Sequence, residues 1–145
     1  MNKLSIKSMS NQISKKKKKG FTLVELIIVI AIIAVLAAIA IPKMGTVKGN
    51  ANIKADIANA KNVHTAVAGA LVDEKLTLTN GVTSIDLSGT DGNAKAVKDR
   101  LDAYSPSKVK SGTNFTADVD EDGNIVIKVG TKKVYPTQDD DFQVK

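Results

Sequence analysis

Few side chains in this 145-residue chain could do chemistry, because it has no cysteine and a single histidine. Without thiols there is no disulfide framework, no thiolate metal site and no thiol nucleophile. His64 lacks the second histidine or the cysteine that a zinc site or a nucleophile and base pair requires, and it reads as a surface or core-edge residue on a helix. Asp118, Asp120 and Asp122, followed by Gly123 and Asn124, place hard oxygen ligands at alternate positions, as a calcium loop begins. The twelfth position from Asp118 is Val129 rather than a bidentate glutamate, so a hairpin turn is the preferred reading. Asp139, Asp140 and Asp141 read as a solvated terminal run. No catalytic residue, metal site or cofactor is expected, and the chain reads as a non-enzyme.

Glu25 is the group that still needs an explanation. Of residues 21–41 only Thr22 and Glu25 are polar, and at about 1.5 Å per helical residue this run crosses a hydrocarbon core of roughly 30 Å. An ionised acid at the centre of such a helix costs about 2.5–3.5 kcal/mol on insertion scales. One turn in, near the headgroups and the positive end of the helix dipole, the cost is tolerable for a monomer. If the chain were cut after Gly20, Phe21 would become a second charged group in the same apolar surroundings. A buried ammonium and a buried carboxylate each require an opposite charge, and between subunits staggered along an axis the two can meet.

Charge divides at the same point. Seven lysines (Lys3, Lys7 and Lys15 to Lys19) and no acid precede the apolar run, which keeps the N-terminus cytoplasmic and sends the remainder across the membrane. Over the whole chain 21 Lys+Arg face 15 Asp+Glu; without residues 1–20 the balance is 14 to 15. The basic pI belongs to the leader, and nucleic-acid binding by the outer part is not supported by charge. Ala38, Ile39 and Ala40 satisfy the small-residue rule for signal peptidase, which would release a head starting at Ile41. Against that reading, the apolar run exceeds the usual 7–15 residues, Glu25 interrupts its start, and helical periodicity continues through the cut.

After Pro42, Val47, Ile53, Ile57, Ala60, Val63, Val67, Ala68 and Leu71 recur at helical spacing. Residues 21–75 therefore read as one long helix, apolar all round in its first half and striped in its second, with a kink favoured at Pro42. Gly45 and Gly49 soften the same region more than they argue for a dimer face. Residues 76–93 read as a loop with a short strand at 82–87, and residues 94–104 as a helix that Asn93 caps and Pro106 stops. Period-two alternation then predicts strands at 115–119, 125–129 and 132–135, a turn at 120–124 and an edge at 142–145. The expected class is α+β, a long helix covering the apolar face of a small antiparallel sheet. The domains follow as 1–20 leader, 21–41 membrane span, and 42–145 head including the amphipathic half of the helix.

The run Gly20-Phe21-Thr22-Leu23-Val24-Glu25-Leu26, placed after lysines and before an apolar helix broken at Pro42, resembles the N-terminal signature of type IV pilins and related pseudopilins. The resemblance implies cleavage between Gly20 and Phe21 by a prepilin peptidase, methylation of the new amine at Phe21, a role for Glu25 in subunit register, and Pro42 as the helix break. It implies a homopolymer of pilin subunits raised by a type IV pilus assembly machinery: a precursor in the inner, cytoplasmic membrane with its head outside, then an extracellular filament for adhesion, motility or aggregation. The absence of cysteine is compatible with the cysteine-free pilins of Gram-positive bacteria. A pseudopilin of a type II secretion or competence DNA-uptake system shares this N-terminus and is the alternative. A membrane-anchored or secreted binding module that never polymerises is the alternative of another class.

Overall fold

The structure, a computed structural model, describes residues 20–144; the leader lysines and Lys145 lie outside the described residues. Helix α1 runs Leu23–Val72 and is assigned through Pro42. The chain divides into two compact units between Ala40 and Ile41. In the first, an 18-residue stretch of mean hydropathy 3.2 is long and apolar enough to cross a membrane, and Leu26, Ile30, Ile33 and Leu36 are all exposed.

In the second unit, the later half of α1 and strands β1 (Thr83–Asp86), β2 (Phe115–Val119), β3 (Ile125–Val129) and β4 (Lys132–Tyr135) share one core. The sheet is an antiparallel meander in the order β1-β2-β3-β4. Alternation along each strand turns Ile85, Phe115, Ala117, Val119, Ile127 and Val129 inward. From α1 the buried positions Ala60, Val63, Val67 and Ala70 recur every three or four residues. Two of those four are alanine, and small side chains let a helix approach a sheet closely. The α+β class expected from the pattern is the one observed.

α1 ends in a Schellman turn. Glu74 takes the left-handed conformation with φ 54°, while Lys75 N–H bonds to the Ala70 carbonyl at 3.0 Å and Glu74 N–H to the Leu71 carbonyl at 3.1 Å. Helix α2 (Gly92–Lys98) differs from its expected form at both ends. Its cap is Asp91, which accepts from Ala94 N–H at 2.9 Å; Asn93 instead bonds the Thr77 backbone through both its amide atoms. The helix stops well before Pro106 because Tyr104 is needed elsewhere: its hydroxyl donates to Asn114 and accepts from Phe115 N–H, tying the following loop to β2.

The C-terminal edge strand is not formed either. Residues Asp140–Phe142 make a 3₁₀ turn that buries Phe142 completely, since one large aromatic gains more from filling the core than from pairing at an edge. Nor is the aspartate run merely solvated. Asp139 accepts from Lys133 N–H at 2.9 Å and its own N–H returns to the Lys133 carbonyl at 3.0 Å, closing the edge of β4, while Asp141 pairs with Lys110 at 3.2 Å.

One polar contact fastens α1 to the rest of the head. Asp56 is fully buried and accepts from Ser107 Oγ at 2.5 Å, Lys108 N–H at 2.8 Å and Val109 N–H at 3.0 Å. A buried carboxylate is tolerated when donors surround it in this way. Asp56→Ala leaves those donors in a dry site and is expected to cost roughly 2–4 kcal/mol, read as a lower urea midpoint of the detergent-solubilised chain by circular dichroism.

On the outer face of the sheet, burial works against the charge of Asp118, but hydrogen bonds from Lys128 and Ser84 and the lysine's charge hold its carboxyl below the ordinary 3.8. A carboxyl depressed in the folded state contributes stability that is complete above its unfolded pKa and is lost as pH falls through the folded value. The pair is partly exposed, so the contribution is at most about 1 kcal/mol. Asp118→Asn should therefore lower stability near neutral pH and leave a smaller loss on acidification below about pH 4, checked by urea midpoints measured across that range.

Candidate functional site

The residues that stood out in the sequence gather at the start of α1. Gly20 and Phe21 precede the helix outside regular secondary structure and are exposed, Phe21 to 92%. Among the described residues, no atom beyond its chain neighbours lies within 4 Å of the place a β-carbon on Gly20 would take. Phe21 and Glu25 border one shallow apolar groove with Leu26, Ile28 and Val29. Pro42 belongs to the other compact unit and is exposed.

Glu25 does more in the monomer than sit near a helix dipole. Thr22 N–H donates to Glu25 Oε2 at 2.7 Å, and Glu25 N–H donates to Thr22 Oγ1 at 3.2 Å. The Thr22 carbonyl accepts from Leu26 N–H at 3.2 Å and starts the helix. This is a reciprocal capping box, satisfying two N–H groups that a helix start otherwise leaves unpaired. Its signal was in the sequence, a threonine followed three residues later by glutamate at the head of an apolar run. In lipid the cap matters more than in water, because an unpaired N–H there costs several kcal/mol. Both donors are backbone amides of Thr22 and Glu25, C-terminal to the Gly20-Phe21 bond, so cleavage there leaves the cap whole. One carboxylate oxygen engaged by one donor retains acceptor capacity, and Glu25 can take a further cation without giving up Thr22.

The other candidates are occupied elsewhere. The His64 and Tyr135 rings meet edge to face, with centroids 4.9 Å apart at 71°, which places His64 at the rim of the core. Asp118 serves Ser84 and Lys128, and Asp120 receives both the backbone N–H and the side-chain amide of Asn124 across a turn that Gly123 completes at φ 81°. Among the described residues, no three His, Asp or Glu side chains converge to hold a metal ion.

Residues 15–41 match the family described as the prokaryotic N-terminal methylation motif. Over these residues the chain is type IV pilin-like. The pilin-like chain is also 25% identical over 130 residues to prepilin peptidase-dependent protein A of Clostridium perfringens (strain 13 / Type A), an alignment covering 82% of this chain and 90% of that relative. That relative comes from a Gram-positive bacterium. No solved structure matches the chain. The motif spans the lysines, the Gly20-Phe21 bond, the capping box and the apolar half of α1, the parts that no packing within the head explains.

Thr22→Val removes the Oγ1 acceptor and should cost about 1 kcal/mol of first-turn stability, whereas Thr22→Ser should preserve the cap. Amide hydrogen exchange at Glu25 in detergent micelles measures this directly, with faster exchange expected for the valine variant.

Proposed function

We propose that this pilin-like chain is a structural subunit of a type IV pilus rather than a catalyst. It is made as a precursor, cut between Gly20 and Phe21 by a prepilin peptidase, methylated at the Phe21 amine, and polymerised through residues 21–41. The reading is supported above all by one observation: the methylation motif lies on a helix half whose large apolar side chains are all exposed. Such a surface needs lipid before assembly and equivalent helices after it. Methylation retains the positive charge of the amine, so Phe21 of one subunit can pair with the free acceptor capacity of Glu25 in the next. Dry surroundings make an unpaired Glu25 costly and a paired one directional, which sets register along the filament. Pro42 is the point near which the helix gives way when the apolar half enters the filament core, since its ring removes one helical hydrogen bond.

The relative's name, which ties it to a prepilin peptidase, adds support for processing of the same kind. Intact mass of the surface form tests the cut. A start at methylated Phe21 is expected; a start at Ile41 or Met1 sinks the reading. Glu25→Ala should be processed normally yet yield at least about tenfold fewer filaments by immunolabelled electron microscopy, a deficit of about 1.4 kcal/mol or more. Labelled short assemblies confined to the envelope, without surface filaments, would instead favour a pseudopilin.

A further inference from the structure

Along one flank of α1, next to its buried stripe, the head carries an open groove of about 640 Å³. That volume falls within the roughly 300–1,000 Å³ of small-ligand clefts. Asn59, Asn62, Ala66 and Gly69 form one wall, because residues three and four apart share a helix face. Residues 100–103, which follow α2, form the other, and both walls belong to the same compact unit. The second wall is held in place by Arg100, which pairs with Asp73 just beyond the end of α1. A β-carbon on Gly69 would come within 3.0 Å of Arg100 Nη1, so a glycine here lets the guanidinium lie close against the helix.

The groove presents polar groups that the head itself leaves unused. Among the described residues, the carboxamides of Asn59 and Asn62 and the carboxylate of Asp102 make no hydrogen bond or ion pair. Asn59 is half-buried, whereas Asn62 and Asp102 are exposed. Groups bonded only to water are matched best by a ligand that replaces water with hydroxyls, each a donor and an acceptor as water is. A carboxamide can use both functions of such a group, and a carboxylate can accept from it. Charge favours no anion, since Asp73 already neutralises Arg100 and Asp102 adds a negative charge. A cation gains little from one exposed carboxylate. Ala66, Leu101 and Ala103 complete the lining with apolar surface, against which the C–H face of a sugar ring can lie.

We propose that this groove binds a neutral saccharide. Its hydroxyls bridge the carboxamides of Asn59 and Asn62 and the carboxylate of Asp102, while Leu101 carries the C–H face of the ring. The site requires only the folded head, so it is independent of cleavage at Gly20 and of polymerisation. No aromatic ring lines the groove, and the affinity is modest for that reason, with Kd on the order of 1 mM.

The test is NMR of the full chain in dodecylphosphocholine, a detergent without a sugar headgroup, with maltotriose, mannotriose, lactose and the trimer of N-acetylglucosamine as probes. Saturable shifts of the Asn59 and Asn62 side-chain amides are expected with at least one of them. Asn59→Ala and Asp102→Ala should each weaken that binding at least about tenfold by removing a hydrogen bond to the ligand. Both should leave the urea midpoint unchanged, because neither side chain bonds within the head. Asp102→Asn keeps an acceptor and should retain most of the affinity. Absence of any saturable shift up to about ten times the expected Kd overturns the proposal. It is also overturned if free lysine or glutamate shifts these amides and no saccharide does, which makes the ligand an ion, or if saccharide binding survives both alanine substitutions, which places the sugar elsewhere.

Discussion

The head depends on the stripe of Ala60, Val63, Val67 and Ala70 meeting the inner face of the four-stranded sheet. A four-stranded meander of strands four or five residues long has one apolar face and cannot exclude water from it alone. With no cysteine to cross-link the chain, that face is covered by α1, by Leu87 and Val97 from the connecting segments, and by Phe142 from the C-terminus. Asp56 then fixes where along the helix the covering occurs. Its carboxylate is satisfied only when residues 107–109 lie against that turn of α1, so a slip of the helix along the sheet would strand a buried charge.

The two halves of α1 follow opposite physical rules. The later half is sorted around its axis, with apolar groups inward and lysines outward. The earlier half is apolar all round and finds no burial among the described residues. A surface of that kind is a statement about surroundings that the single chain does not contain. The capping box shows how such a helix can begin in an apolar medium. Thr22 and Glu25 supply each other's missing hydrogen bonds, so the acid that looked like a liability in lipid stabilises the helix start. Its remaining acceptor capacity is what an incoming ammonium would find.

Much of this was legible in the sequence where one periodicity governed a segment. The strands at 115–119, 125–129 and 132–135 were set by alternation, and α1 by its apolar run and stripe. Legibility failed where a residue's partner lay far along the chain. Asn93 looked like a helix cap but bonds Thr77; Tyr104 fitted a helical pattern but its hydroxyl joins Asn114 and Phe115; Phe142 looked like an edge strand but fills the core. Asp56 gave no signal, because its donors are more than fifty residues away. The Thr22 and Glu25 cap was local and readable, and was overshadowed by the question of a charge in lipid.

By itself the sequence determined the membrane-length apolar run, the lysine leader, the Gly20-Phe21 junction with its lone acid, and the class of the head, since each rests on composition or on neighbours three or four residues apart. Tertiary structure alone decided that Asp56 locks helix to loop and that the aspartate run closes the edge of β4. Those outcomes depend on which distant residues share a location, and a linear pattern does not contain that distance.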